Sequence, residues 1–197
     1  HIVDRIVSVG DLLGIDFSNP EFAIHIPGEA RNHVAAMLRE NNLSVGNFIE
    51  LAPGGTWSSK RWPTDRFAEL AKRIREELKL PVVLIGGRGE KKQADEILKI
   101  TGPDGMIDFT GKTTLPELLA VIDATKAIVC NDSGPMHMAV ALGNQVTAII
   151  GPTNALRTGP YRRPESIVKT NEMCSPCYKR DCLKVSDSEL PLCMTKI

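Results

Sequence analysis

The sequence predicts an α/β domain built on a doubly wound, Rossmann-like parallel sheet. Its strands are short continuous apolar runs rather than alternating ones, the pattern of burial on both faces. Helical segments alternate with them, so successive strands are joined by crossovers and run parallel. Most strands end in glycine or a polar turn, at the edge where sheets of this kind gather ligands.

The elements follow in order from residue 47. Asn47 to Ala52 reads as a strand ending in Pro53-Gly54-Gly55, and 65–78 as an amphipathic helix. Residues 81–85 form a buried strand closed by Gly86-Gly87, and 90–100 a helix. A short strand covers 106–109, and a helix covers 115–124 with Pro116 tolerated in its first turn. A strand at 127–130, a helix at 135–142 and a strand at 145–150 complete a count of five strands. Ahead of them, Ile2, Ile6, Val9 and Leu13 fall at helical spacing, with Gly14 as a stop. Residues 16–27 read as extended, and 28–42 as a helix with Val34, Met37 and Leu38 on one face. These first segments show no core of their own. The chain therefore divides into 1–46, the trailing part of a preceding domain with a linker, 47–170, the α/β domain, and 171–197, a cysteine-rich tail.

Composition narrows the function. The chain has 197 residues, long enough for a sizeable core, with 42% hydrophobic and 24% charged residues, which argues against disorder. Lysine plus arginine and aspartate plus glutamate balance at 24 each, so duplex nucleic acid is not an expected partner. No apolar run is long enough to span a bilayer. The chain opens on His1-Ile2-Val3-Asp4, which is neither an initiator methionine nor a signal peptide, and we read it as an excised piece of a longer protein.

Four loops carry candidate chemistry. In Gly54-Gly55-Thr56-Trp57-Ser58-Ser59-Lys60, adjacent glycines allow close backbone approach to an anion, and Lys60 adds a positive charge. This is a diphosphate cradle or a plain glycine turn, and it lacks Walker A spacing. Gly86-Gly87-Arg88-Gly89-Glu90 offers a carboxylate for ribose hydroxyls or for a helix N-terminus. Thr114 with Glu117 reads as a capping box, and the neighbouring Thr113 backbone is available to a base edge. Asn131-Asp132-Ser133-Gly134-Pro135-Met136-His137 runs from a strand through a polar turn into a helix opened by proline. Amides at that helix start suit a phosphate, and Asp132 suits sugar hydroxyls. Asp132 or Ser133 could instead cap the helix, and His137 alone reads as structural. Arg157, Arg162 and Arg163 follow the last strand and read by default as a surface loop.

Taken together, these loops resemble glycosyltransferase family 9, the bacterial ADP-heptose:lipopolysaccharide heptosyltransferases. The resemblance rests on an ordered set: Gly54-Gly55, then Lys60-Arg61-Trp62-Pro63, Gly86-Gly87 with Glu90, Phe109-Thr110-Gly111, and Asn131 through His137. It implies the C-terminal half of a GT-B fold, in which two Rossmann-like domains face each other across a cleft. It implies donor binding by Gly55, Thr56, Lys60, Glu90, Thr113, Asp132, Ser133, Gly134 and His137. Lys60 and Thr56 would meet the phosphates, Glu90 the ribose, the Thr113 backbone the adenine and Asp132 the transferred sugar. Ser133 and Gly134 amides would face the phosphate, with His137 in support.

By the same resemblance, transfer proceeds with inversion and without metal or cofactor, and the donor is an ADP-sugar. The catalytic general base lies in the preceding domain, outside these residues, so this piece alone is expected to be inactive. The acceptor, of lipid A-core type, is expected to bind through that domain, at the cytoplasmic face of the inner membrane. A nucleotide-sugar-binding module without transfer and a nucleotide-sugar epimerase are the competing readings. Cys174, Cys177, Cys182 and Cys193 are four candidate thiolate ligands for a structural zinc, with reduced structural cysteines or a disulfide as alternatives.

Overall fold

The computed structural model describes residues 1–16, 19–182 and 190–197. The sheet has six parallel strands: β1 (Ile49–Ala52), β2 (Val82–Leu84), β3 (Met106–Asp108), β4 (Ala127–Asn131), β5 (Val146–Ile149) and β6 (Ile167–Val168). Their spatial order is β3-β2-β1-β4-β5-β6. The chain winds outward from β1 in one direction, returns, and winds outward from β4 in the other. The switch point between β1 and β4 is where such sheets open a crevice at the strands' carboxyl ends.

The helices are α1 (Ile2–Val7), α2 (Gly28–Glu40), α3 (Thr64–Arg73), α4 (Lys91–Thr101), α5 (Leu115–Ala124), α6 (Gly134–Ala141), α7 (Ala155–Thr158) and α8 (Leu192–Thr195). They cover both faces of the sheet. One face buries Phe48, Ala52, Val83, Ile128 and Ala148 against α2, α5 and α6. The other buries Ile49, Leu51, Val82 and Leu84 against α3, α4 and Cys193 and Met194 of α8. Strand residues alternate between these two cores, so every position of β1 is buried, Glu50 included.

Several boundaries differ from the sequence reading for local reasons. The segment 2–14 is α1 followed by a 3₁₀ stretch, Ser8–Leu13, and Gly14 closes it with φ 67°, as its stop role requires. The helix expected over 65–78 is α3 plus a π-turn, Ile74–Leu78, which ends at Lys79 in the left-handed region. The extended segment 16–27 forms no strand among its described residues, and positions 17 and 18 lie outside the description. Five strands were expected and six are present among the described residues. The sixth is two residues long, too short for any periodicity to show. α2 packs along α5, and its Ala30, Val34 and Leu38 join the core beneath the sheet. No helix among the described residues is long and apolar enough to cross a membrane.

Candidate functional site

Because all strands run parallel, the loops after β1, β2, β3, β4 and β5 emerge at one edge. Those after β1 and β4 flank the switch point. The loop after β1 is held in shape by its own Lys60-Arg61-Trp62-Pro63 segment. Arg61 Nε donates to the carbonyl of Gly55 (2.8 Å), which pins the glycine turn. The Trp62 ring packs edge-on against Phe67 of α3, with centroids 5.0 Å apart. Pro63 then caps the start of α3. Lys60 closes a 3₁₀ turn, Ser58–Lys60, and points its ammonium at the loop after β4.

Asn131 joins the two loops. It is fully buried at the end of β4, and its amide makes three hydrogen bonds, using both N–H donors. Its Nδ2 donates to the carbonyls of Pro53 (2.8 Å) and Gly54 (2.9 Å). Its Oδ1 accepts from the backbone N–H of Trp62 (3.0 Å). One side chain thus satisfies both ends of the loop after β1, which would otherwise bury unpaired backbone groups. The sequence reading placed Asn131 in a motif without assigning it this role. The available signal was an amide closing an otherwise apolar strand.

Asp132, next in the chain, is buried as well. Its Oδ2 lies 2.8 Å from Lys60 Nζ and accepts from Thr153 Oγ1 at 2.6 Å. Thr153, in the loop after β5, is itself buried and was not singled out from the sequence. Asp132 therefore does not serve primarily as a helix cap. Ser133 occupies the cap position of α6 and makes no side-chain cap bond, its Oγ turning to the carbonyl of Asn131. The first amides of α6 are left without a side-chain acceptor, beside a cation and a carboxylate. Gly134 has open space around a notional Cβ, the nearest atom being Met138 Cε at 3.9 Å, and an ordinary φ. The protein's own packing does not require glycine there. At Gly55 a Cβ would also meet only ordinary contacts, 3.6 Å or more. Glycine at both positions keeps the surface open where a ligand would approach.

His137 lies one turn into α6. Desolvation by the surrounding protein lowers its pKa, with Lys60 adding to the effect and Asp132 opposing it. That environment favours a neutral imidazole.

The loops after β2 and β3 build the other wing. Glu90 accepts from the N–H of Gly87 at 2.7 Å. Its carboxylate also fills the space above Gly54, where a Cβ would sit 1.7 Å from Glu90 Oε1. A Cβ at Gly86 would come within 2.7 Å of Oε2. Here the glycines are required, because they admit the Glu90 side chain between the two loops. The geometry bears out the helix-start reading of Glu90, and it also sets the carboxylate over the glycine turn. The N–H of Gly111 donates to the carbonyl of Gly86 (2.8 Å), which ties the loop after β3 to the loop after β2. Gly111 takes φ 73° against the backbone of Arg88. Thr114 and Glu117 form the expected capping box on α5. Glu117 is held down to about 2, first by the N–H of Thr114 and then by His33. Thr113 lies half-buried between this cap and Gly111, and Thr56 is exposed at the mouth of the first loop. Arg162 and Arg163 after β5 are directed elsewhere: Arg162 Nη1 donates to Asn19 Oδ1 (3.2 Å), and Arg163 to the carbonyl of Asn144.

The structure thus brings Gly55, Lys60, Asp132, Ser133, Gly134 and His137 around the switch point. Glu90 is set against the far side of the same glycine turn. Of the tail expected over 171–197, residues 183–189 lie outside the description. Cys193 is buried, and its thiol is pushed up to about 11, first by burial and then by Cys182, Cys174 and Cys177. Among the described residues, no group of three or more potential ligands is arranged to hold a metal ion.

A model of glycosyltransferase family 9 (heptosyltransferase) matches residues 1–186. The lipopolysaccharide heptosyltransferase 2 of Escherichia coli strain K12 is 34% identical over 125 residues, covering 61% of this chain and 36% of the relative. A solved family 9 glycosyltransferase from Veillonella parvula superimposes with TM-score 0.78 at 29% identity, over 85% of this chain and 48% of its own. The structure of E. coli ADP-heptose lps heptosyltransferase II does so with TM-score 0.64 at 29% identity, over 77% and 45%. The chain spans less than half the length of these relatives. With that model covering most of its length and the loops closing around the switch point, the chain belongs to glycosyltransferase family 9, the heptosyltransferases.

Proposed function

We propose that this chain is the donor-binding half of an inverting heptosyltransferase of lipopolysaccharide core synthesis, with an ADP-heptose-like nucleotide sugar as donor. The observation that carries the reading is the Lys60–Asp132 pair at the switch point, between a glycine turn and the uncapped start of α6. Lys60, with the Gly55 and Thr56 segment and the amides of Ser133 and Gly134, takes the diphosphate. Asp132, fixed by Thr153, takes hydroxyls of the transferred sugar. Glu90 takes the ribose, the Thr113 backbone the adenine, and His137 supports the sugar side as a neutral imidazole. In transfer, negative charge develops on the departing diphosphate. Lys60 and the helix-end amides stabilise it from fixed positions, where they need little reorganisation. No divalent metal enters this scheme.

In this reading residues 47–170 form the donor domain, with α2 packed into its core, and the rest of 1–46 is the end of a preceding domain with its linker. The exposure of Ile6 (65%), Leu12 (86%) and Leu13 (70%) supports a further part of the protein covering that end. That part would carry the acidic general base that deprotonates the acceptor hydroxyl. It would also carry the lipid A-core type acceptor site, at the cytoplasmic face of the inner membrane.

Calorimetric titration with ADP tests the site. Lys60→Ala is expected to weaken ADP about tenfold, the loss of one charge-assisted contact, and the affinity should be unchanged by a chelator. Equal affinity of the variant would remove Lys60 from the phosphate site. The 197-residue chain alone is expected to show no sugar transfer. Transfer to a lipid acceptor by this chain would place the base within it.

A further inference from the structure

The tail after β6 is tied to the candidate site at both sides. Ser175 Oγ donates to the carbonyl of Gly151 (2.6 Å), and the N–H of Tyr178 donates to the carbonyl of Pro152 (2.8 Å). Both carbonyls belong to the loop after β5. One and two residues on, the strap crosses to the loop after β1. Ser59 Oγ donates to the carbonyl of Lys179 at 2.6 Å, and Ser58 Oγ to that of Arg180 at 3.2 Å. Ser59 is only 2% exposed, so the donor side of its bond is buried. These two serines immediately precede Lys60.

The strap also delivers a charge. The Arg180 guanidinium lies over the Trp57 ring, 5.5 Å from its centroid. The Lys60 ammonium lies against the same ring at 4.8 Å. One indole therefore gathers two cations beside the Gly54-Gly55 turn. They are not equivalent. Lys60 is only 17% exposed and shares its charge with Asp132, so that pair meets an incoming anion as nearly neutral. Arg180 is exposed at the rim, backed by an aromatic face that restrains the guanidinium without occupying its N–H donors.

We propose that Arg180 is a donor-binding residue, the second cation of the diphosphate site, carried into place by the tail. The inference rests on the reading of this loop as a nucleoside-diphosphate site. A diphosphate bears more charge than Lys60, already shared with Asp132, can balance. Arg180 can present two parallel N–H donors to a phosphate while remaining stacked on Trp57.

The test is ADP and AMP titration of the full 197-residue chain and of Arg180→Ala, Arg180→Lys, Lys179→Ala and Lys60→Ala. Thermal melting of each variant reports folding. Arg180→Ala is expected to melt like the unsubstituted chain and to bind ADP about fivefold to tenfold more weakly, with a smaller loss for AMP. Arg180→Lys should recover part of the affinity, since it restores the charge without the fork. Lys179→Ala should stay within about twofold, because its backbone carbonyl, not its side chain, makes the strap contact. If Arg180→Ala binds ADP like the unsubstituted chain while Lys60→Ala does not, the role of Arg180 is overturned and the site stands. An equal loss for ADP and AMP would also overturn it as a diphosphate contact. If the unsubstituted chain fails to bind ADP, the diphosphate reading falls, and this role with it.

Discussion

Glu50, in the middle of β1, and Asp132, just past the end of β4, are two buried acids treated in opposite ways. Glu50 is completely buried, and neither of its carboxyl oxygens has a hydrogen-bond partner among the described residues. By strand alternation it faces the core between Phe48 and Ala52. Burial pushes its pKa well above the ordinary 4.5, so it is held as the neutral acid. Asp132 is buried almost as fully, yet a lysine and a threonine hydroxyl meet it. Cys130, two residues earlier on β4, lies within the influence of both acids, and its thiol is driven upward by burial and then by Glu50 and Asp132. A carboxyl on this face of the sheet can only be neutralised, because the helices packed over it present apolar side chains and no cation. At the sheet edge, the loops that emerge there can bring it partners. An acid at that edge remains available to a ligand, whereas one in the middle of a strand becomes a cost to stability.

Three measurements can break or sharpen that contrast. The largest effect is expected from the residue that assembles the edge. Asn131→Ala leaves the carbonyls of Pro53 and Gly54 and the N–H of Trp62 without their partner. It should cost about 3 kcal/mol of unfolding free energy, read from urea denaturation. A cost near zero would mean that the loop after β1 holds its shape without β4. Next is Thr153→Val, which removes one of the two partners of Asp132 at nearly constant volume. About 1.5 kcal/mol should be lost, together with ADP affinity as Asp132 loses its orientation. Unchanged affinity would show that Lys60 alone positions the carboxylate.

The smallest effect, expressed per pH unit, concerns Glu50. Its folded pKa is raised, so the native state holds this proton more tightly than the unfolded chain does. The stability it contributes is complete below about pH 4.5 and is lost as pH rises toward its folded value, with a slope of up to about 1.4 kcal/mol per unit. His137, lowered in the fold, acts in the opposite sense, since its contribution is lost as pH falls. The decisive quantity is therefore the difference between the unsubstituted chain and Glu50→Gln across this range. That difference should vary with pH in favour of the variant as pH rises. Parallel curves would show that Glu50 is ionised in the fold and has found a partner.

The fold was largely legible because its signals are local. Unbroken apolar runs such as 81–85 can be buried on both faces only in a parallel sheet covered by helices, and glycines mark where those runs end. β6 was not legible, because two residues carry no period. Within the site, Lys60, Glu90 and Asp132 stood out because charged residues beside glycine turns at strand ends are conspicuous. Asn131, Thr153 and Arg180 were missed. Each works through a partner 21 to 123 residues away in the chain, Thr153 on Asp132 and Arg180 on Trp57 being the two extremes. Glu50 was passed over inside a run read simply as an apolar strand.

The sequence by itself determined the class of sheet, the strand ends that gather the candidate site and the family to which the chain belongs. These follow from hydrophobic pattern and from residue types at fixed short spacings, which the chain carries with it into any conformation. Only the tertiary structure decided which strands flank the switch point, that Lys60 meets Asp132, that one asparagine joins two loops, and that the tail returns to the first loop. Those depend on the order in which parallel strands pack side by side, and that order brings together atoms whose separation along the chain says nothing of their distance in space.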